Sequence, residues 1–87
     1  MDRDKMWYVY LLRCRDNTLY AGMTDNLPKR IQAHNEGKGA KYTRGRGPVA
    51  LVHYEELESR SAALKREAEI KRLNRTEKLR LIEEKKS

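Results

Sequence analysis

The sequence predicts an α+β domain: a three-stranded antiparallel sheet flanked by three helices, in the order β-β-α-β-α-α. Three observations carry that expectation. Two aromatic and apolar runs, Trp7–Arg13 and Leu19–Met23, are separated by a short polar turn, which is the pattern of a hairpin. A third such run, Val49–Tyr54, comes only after a helix-like segment and a glycine-bearing loop. Two capped, periodic segments then close the chain.

Each element has its own reason. WYVYLLR, from Trp7 to Arg13, has no helix cap and almost no polar position, so it reads as a strand buried on both faces. Arg15-Asp16-Asn17-Thr18 has side chains that hydrogen-bond their own backbone and turn the chain into the second strand. Asp25 or Asn26 can cap a helix with Pro28 in its first turn, where a missing N–H costs little. Leu27, Ile31 and His34 share one face of that helix, and Gly37 ends it. KGAKYTRGRG, Lys38–Gly47, is a basic loop closed by Pro48, and Val49–Tyr54 is the third strand. Ser59 caps a second helix running to about Leu73. Asn74 and Glu77 have capping-box spacing and open a third helix with Leu79, Leu81 and Ile82 on its apolar side. Glu83–Ser87 is expected to fray. There is no internal repeat and no linker, so residues 1–87 are read as one domain with a core of about 7–82.

Charge narrows the partners. Twenty Lys and Arg against thirteen Asp and Glu leave +7 on 87 residues. Such an excess concentrates polyanions at the surface and speeds their association. Cys14 is the only cysteine. It can form no intrachain disulfide, which fits a reducing compartment, and its place in the pattern suggests a small buried residue. Met1–Met6 is charged and lacks an apolar stretch, so no export signal is expected. No apolar run approaches the roughly 20 residues of a membrane span. A cytoplasmic monomer with no membrane contact is expected.

Four features could carry chemistry. Glu67 lies between Ala63, Leu64, Ile70 and Lys71 on the second helix. It therefore falls on the inward stripe, where a carboxylate needs an Arg or Lys partner or a metal. Arg30 and His34 are one helical turn apart and project side by side. An Arg can grip a phosphate and a His can relay a proton, although a charged surface helix would carry the same pair. Tyr8 and Tyr10 point to one face of the first strand, and Tyr20 lies across the hairpin. Their hydroxyls need partners if buried, and packing alone would also explain the rings. Lys38, Lys41, Tyr42, Arg44 and Arg46 interleave cations and an aromatic with glycines, which suits contact with nucleic acid or a solvated connector. His53 is isolated and reads as structural. GxxxxGK[ST], HExxH, CxxC and a nucleophile elbow are all absent, so there is no phosphate loop or protein-only zinc site of usual spacing.

In this order the features resemble the GIY-YIG nuclease domain, over Trp7 to about Ile82. Tyr8-Val9-Tyr10 stands where the family has Gly-Ile-Tyr, and Tyr20-Ala21-Gly22 stands about ten residues on, where it has Tyr-Ile-Gly. Arg30 with His34 matches its RxxxH, and Glu67 its metal-binding glutamate. The stretch HNEGKGAKYTRGRGPVALV is similar to a small stand-alone bacterial branch. The departures are Tyr8 for Gly, Val9 and Ala21 for Ile, and Met23 where many members have Lys.

The resemblance implies a metal-dependent endonuclease acting on DNA. Tyr10, Tyr20, Arg30, His34 and Glu67 would form its catalytic site. Glu67 would hold one Mg²⁺ or Mn²⁺ with waters in the remaining positions. Arg30 would offset charge on the phosphate. Tyr10, Tyr20 or His34 would position or deprotonate the attacking water. Lys38, Lys41, Tyr42, Arg44 and Arg46 would hold the strand, and a protein partner could target the domain. A nucleic-acid-binding module with little or no turnover is the competing expectation. An RNA substrate is another, because electrostatics alone does not separate RNA from DNA.

Overall fold

The structure, a computed structural model, describes residues 6–86. Met1–Lys5, most of the stretch expected to lack an export signal, lies outside the described residues, as does Ser87. The elements are β1 (Trp7–Arg13), β2 (Leu19–Thr24), α1 (Leu27–Asn35), β3 (Ala50–Leu57), α2 (Arg60–Lys71) and α3 (Arg75–Lys86). The fold is α+β in the expected order. The sheet runs β2-β1-β3, and β1 is antiparallel to both neighbours.

β1 is central, which is why it has no polar face. Val9, Tyr10, Leu11 and Leu12 are all buried. Alternate residues of a strand point to opposite faces, so β1 feeds two cores. Val9 and Leu11 join Ala21, Ala63, Ile70 and Ile82 under α2 and α3. Tyr10, Leu12, Cys14 and Val49 form the other cluster, against Tyr20 and the Leu27 and Ile31 side chains of α1. Cys14 is buried there, as its small apolar character suggests.

The hairpin turns at Asn17, whose positive φ of 69° suits a residue with a short polar side chain. Of the two possible caps for α1 it is Asn26 that serves. Its side chain accepts from the Lys29 amide at 3.2 Å, a bond worth about 1 kcal/mol. Ser59 caps α2 in the same way. Asn74 and Glu77 satisfy each other's amides at 2.9 Å in both directions. Among the described residues no helix is long and apolar enough to cross a membrane.

Three details differ from the sequence reading. β3 continues past Tyr54 to Leu57, because Glu55, Glu56 and Leu57 pair with Val9, Tyr8 and Trp7 of β1, and the Glu55 carboxylate finds partners on the α2 side. Arg66 donates to it from two nitrogens, at 2.7 and 3.0 Å, and His53 lies 2.8 Å away. Burial pushes Glu55 up, but Arg66 and then His53 outweigh it and hold the carboxyl below its ordinary value. Leu64 and Leu79 were expected inside and are exposed. α2 turns only Ala63 and Ile70 fully inward, and α3 meets the core through Leu81 and Ile82, which leaves both leucines off the seam. The basic loop, finally, is partly ordered as a single 3₁₀ turn at Lys41–Thr43.

Candidate active site

The centre of the site is the Tyr10 hydroxyl. β1 places it opposite Gly22 in β2, and the phenol end lies directly over that glycine. A Cβ built on Gly22 would stand 2.5 Å from Tyr10 Oη and 2.7 Å from Cζ. This contact gives the glycine its physical reason: no larger residue leaves room for the ring. Gly22→Ala is therefore expected to destabilise the fold by about 1–3 kcal/mol through overpacking, read as a lower midpoint in denaturant unfolding. An unchanged midpoint would mean that the Tyr10 ring yields freely.

α1 delivers the partners of the phenol. His34, one turn after Arg30, is 1% exposed, and its Nε2 lies 3.0 Å from Tyr10 Oη. Burial raises the Tyr10 pKa above its ordinary value; the nearby Arg30 guanidinium opposes this, and Tyr20 and Glu67 add to it. Burial, and then the Arg30 charge, push His34 below its ordinary value. At neutral pH the pair is therefore a neutral phenol against a neutral imidazole.

The loop after α1 closes over the ring. His34 Nδ1 lies 2.7 Å from Thr43 Oγ1, and Thr43 in turn donates to the Ala40 carbonyl at 2.9 Å. Gly39 packs flat on the imidazole, since a Cβ there would overlap Nδ1. Tyr20 meets the His34 ring edge-on at 5.5 Å and stacks on Tyr42 at 5.6 Å. Arg46 lies 4.4 Å above the outer face of Tyr42 and forms an ion pair with Asp16 in the hairpin turn. Stacked aromatics add about 0.5–1.5 kcal/mol beyond area burial, so this column helps to pin the loop to the hairpin.

Glu67 comes from α2, on the other face of the sheet. Its side chain is 17% exposed and its Oε2 lies 3.5 Å from Lys71 Nζ. It borders the inward stripe and does not sit in its middle, because Leu64 and Lys71 are on the solvent side. Its charge adds, as the smallest contribution, to the rise in the Tyr10 pKa. Among the described residues no group of three or more His, Cys, Asp or Glu could hold a metal.

The structure thus brings Tyr10, Tyr20, Arg30 and His34 together on the α1 face and carries Glu67 on α2, where it pairs with Lys71. Lys38, Lys41 and Arg44 are exposed on the loop. Tyr42 and Arg46 are committed to Tyr20 and Asp16. A hollow of about 240 Å³ opens beside Arg30, with Lys29 and Asn26 on its wall. A wider apolar groove of about 630 Å³ lies against β3 and carries Tyr8, Tyr54, Asp25 and Glu56. Asp25 borders both hollows, but only the smaller one has cations, Lys29 and Arg30, on its wall, which makes it the better place for a phosphate. Sequence reasoning missed Thr43, Gly39 and Asp16. Thr43 and Gly39 lie in an aperiodic loop and Asp16 in a turn, so nothing in the pattern marks them.

The GIY-YIG catalytic domain pattern matches residues 6–80. The chain is 59% identical over 80 residues to a UPF0213 protein of Clostridium perfringens, covering 92% of this chain and 86% of that one. It is 54% identical over 80 residues to a UPF0213 protein of Oceanobacillus iheyensis, covering 92% and 93%. The solution structure of a UPF0213 protein from Bacillus halodurans is similar at 45% identity and a TM-score of 0.58, over 90% of this chain and 83% of that one. The Tyr10–Gly22 contact and the Arg30–His34 turn are therefore features of a chain that belongs to the GIY-YIG family.

Proposed function

We propose that the protein is a metal-dependent endonuclease that hydrolyses phosphodiester bonds in DNA. The observation that carries this reading is the Tyr10 hydroxyl, 3.0 Å from His34 Nε2 and influenced by the Arg30 charge one helical turn before that histidine. A phenol bonded to a neutral imidazole can take a proton from water as it passes its own on. The cation beside it can bind the phosphate under attack. Tyr20 touches His34 only through its ring edge. Tyr10 is accordingly the base, Arg30 the phosphate ligand and Tyr20 part of the wall that orients His34.

Glu67 suits a divalent cation of one kind. A lone carboxylate cannot form a cage, but Mg²⁺ or Mn²⁺ typically keeps several waters and is held by one or two carboxylates together with substrate phosphate. When bound, the ion would stabilise charge on the phosphate and the leaving oxygen. The net charge of +7 supports a polyanionic substrate. Lys38, Lys41 and Arg44 would contact the strand directly, whereas Tyr42 and Arg46 would shape the loop and offer only their exposed edges.

Supercoiled plasmid incubated with Mg²⁺ or Mn²⁺ should be nicked, and EDTA should stop the reaction. A folded protein that binds DNA without nicking it would instead be a binding module. The double change Lys41→Ala with Arg44→Ala should weaken DNA binding and reduce the slope of log affinity against log salt by about 1–2, since each lost phosphate contact removes nearly one unit. An unchanged slope would take the loop out of the footprint.

A further inference from the structure

We propose that Thr43 is a positioning residue that fixes the tautomer of His34, so that the Tyr10 hydroxyl delivers its proton to Nε2. The argument is a count of protons. The Thr43 hydroxyl has one hydrogen, and it goes to the Ala40 carbonyl, 2.9 Å away. Thr43 Oγ1 therefore meets His34 Nδ1, at 2.7 Å, as an acceptor. Nδ1 must carry the imidazole proton. A neutral imidazole has only one N–H, so Nε2 presents its lone pair. At 3.0 Å from Nε2, Tyr10 Oη must be the donor there.

The bonds then run in one direction: Tyr10 to His34, His34 to Thr43, Thr43 to Ala40. Tyr10, His34 and Thr43 are each 1% exposed, so bulk water does not compete for these positions, and the attacking water reaches Tyr10 Oη only as one bound with the substrate. Gly39 admits the loop backbone onto the ring at Nδ1, which brings Thr43 within reach. The 3₁₀ turn at Lys41–Thr43 aims the hydroxyl.

In the catalytic role this assignment rests on the nuclease reading given above. Water gives a proton to Tyr10 Oη while the Tyr10 proton moves to His34 Nε2. The water oxygen bonds to phosphorus. The phosphorus–oxygen bond to the leaving group breaks, and the leaving oxygen takes the bonding pair and then a proton from solvent. The imidazolium keeps its Nδ1–H on Thr43 and returns the Nε2 proton to solvent through Tyr10. No oxidant, reductant or third reactant is needed.

The experiment is ¹⁵N NMR of the histidine rings at neutral pH, on wild type, Thr43→Ser and Thr43→Val, beside the plasmid assay. Wild-type His34 is expected as the Nδ1–H tautomer. Thr43→Ser should keep it, and Thr43→Val should shift population to Nε2–H, since the Nδ1–H acceptor is gone. Cleavage should fall by about 10- to 100-fold in Thr43→Val, the usual loss for an orienting partner, and return in Thr43→Ser. An Nε2–H tautomer in the wild-type protein would overturn the proposal by itself, whether or not Thr43→Val folds. So would an unmoved tautomer in a folded Thr43→Val. The tautomer is read without turnover, so an inactive wild-type protein with the expected spectrum would refute the nuclease reading and leave the tautomer assignment standing.

Discussion

Glu67→Ala is expected to abolish metal-dependent cleavage while leaving DNA binding equal or tighter. Loss of a metal's charge stabilisation removes several kcal/mol from the transition state, and each 1.36 kcal/mol is a factor of ten. A fall of about 10³-fold or more in nicking rate follows. Binding moves the other way, because the change removes a negative charge and frees Lys71, which stands 3.5 Å from the carboxylate. Stability should hardly change. The pair is an i, i+4 contact whose Lys71 side chain is 52% exposed, and such pairs contribute about 0.3–0.5 kcal/mol. The melting curve thus separates chemistry from folding. Nicking that survives in Glu67→Ala would move the metal site elsewhere, and a large loss of stability would make Glu67 a structural residue.

How much of this was legible in the sequence depends on periodicity. β1 could be read because a central strand is apolar on both faces, and Val9 through Leu12 leave no other interpretation. The caps at Asn26, Ser59 and Asn74 could be read because capping is local chemistry within four residues. The Arg30–His34 pairing follows from helix geometry alone, and the placement of Tyr10 across from the second strand follows from the hairpin.

What could not be read is long-range or aperiodic. β3 runs on through Glu55 because it pairs with Val9 of the first strand, and its carboxylate is met by Arg66, eleven positions on. Leu64 matches the helical stripe as well as Ala63 does, yet it faces solvent, since α2 is too thinly packed to cover a wide face. The loop Lys38–Gly47 reads as a basic segment for nucleic-acid contact or as a solvated connector. Its organising contacts are with Asp16, Tyr20 and His34, at separations that no local pattern encodes. Thr43 is the sharpest example: one unremarkable hydroxyl between a tyrosine and an arginine, fully buried against the ring that the helix presents.

Tyr10→Phe tests the centre of the site and should have the second large effect. Removing the hydroxyl takes the proton acceptor from water, and general-base catalysis is worth about 10²–10⁴-fold. It also leaves His34 Nε2 buried without its donor, at a cost of about 1–3 kcal/mol in stability. A lower unfolding midpoint with retained DNA binding is therefore expected alongside the lost cleavage. Tyr10 and His34 act as one relay, so Tyr10→Phe combined with His34→Ala should lose little more activity than either change alone. Full additivity would mean that they act separately, with Tyr20 or His34 itself as the base. The pH profile gives a further check. His34 must be neutral to accept the proton, and burial with the Arg30 charge holds its pKa below the ordinary 6.5. Cleavage should therefore persist as pH falls through 6.5 and decline only below it, as His34 protonates. Stability has the same sign: the unfolded chain takes up a proton near pH 6.5 while the folded one does not, so stability falls as pH drops from there towards the folded-state pKa. In His34→Ala both acid-side effects should disappear. An acid limb that remains in that variant would belong to another group and would remove His34 from the relay.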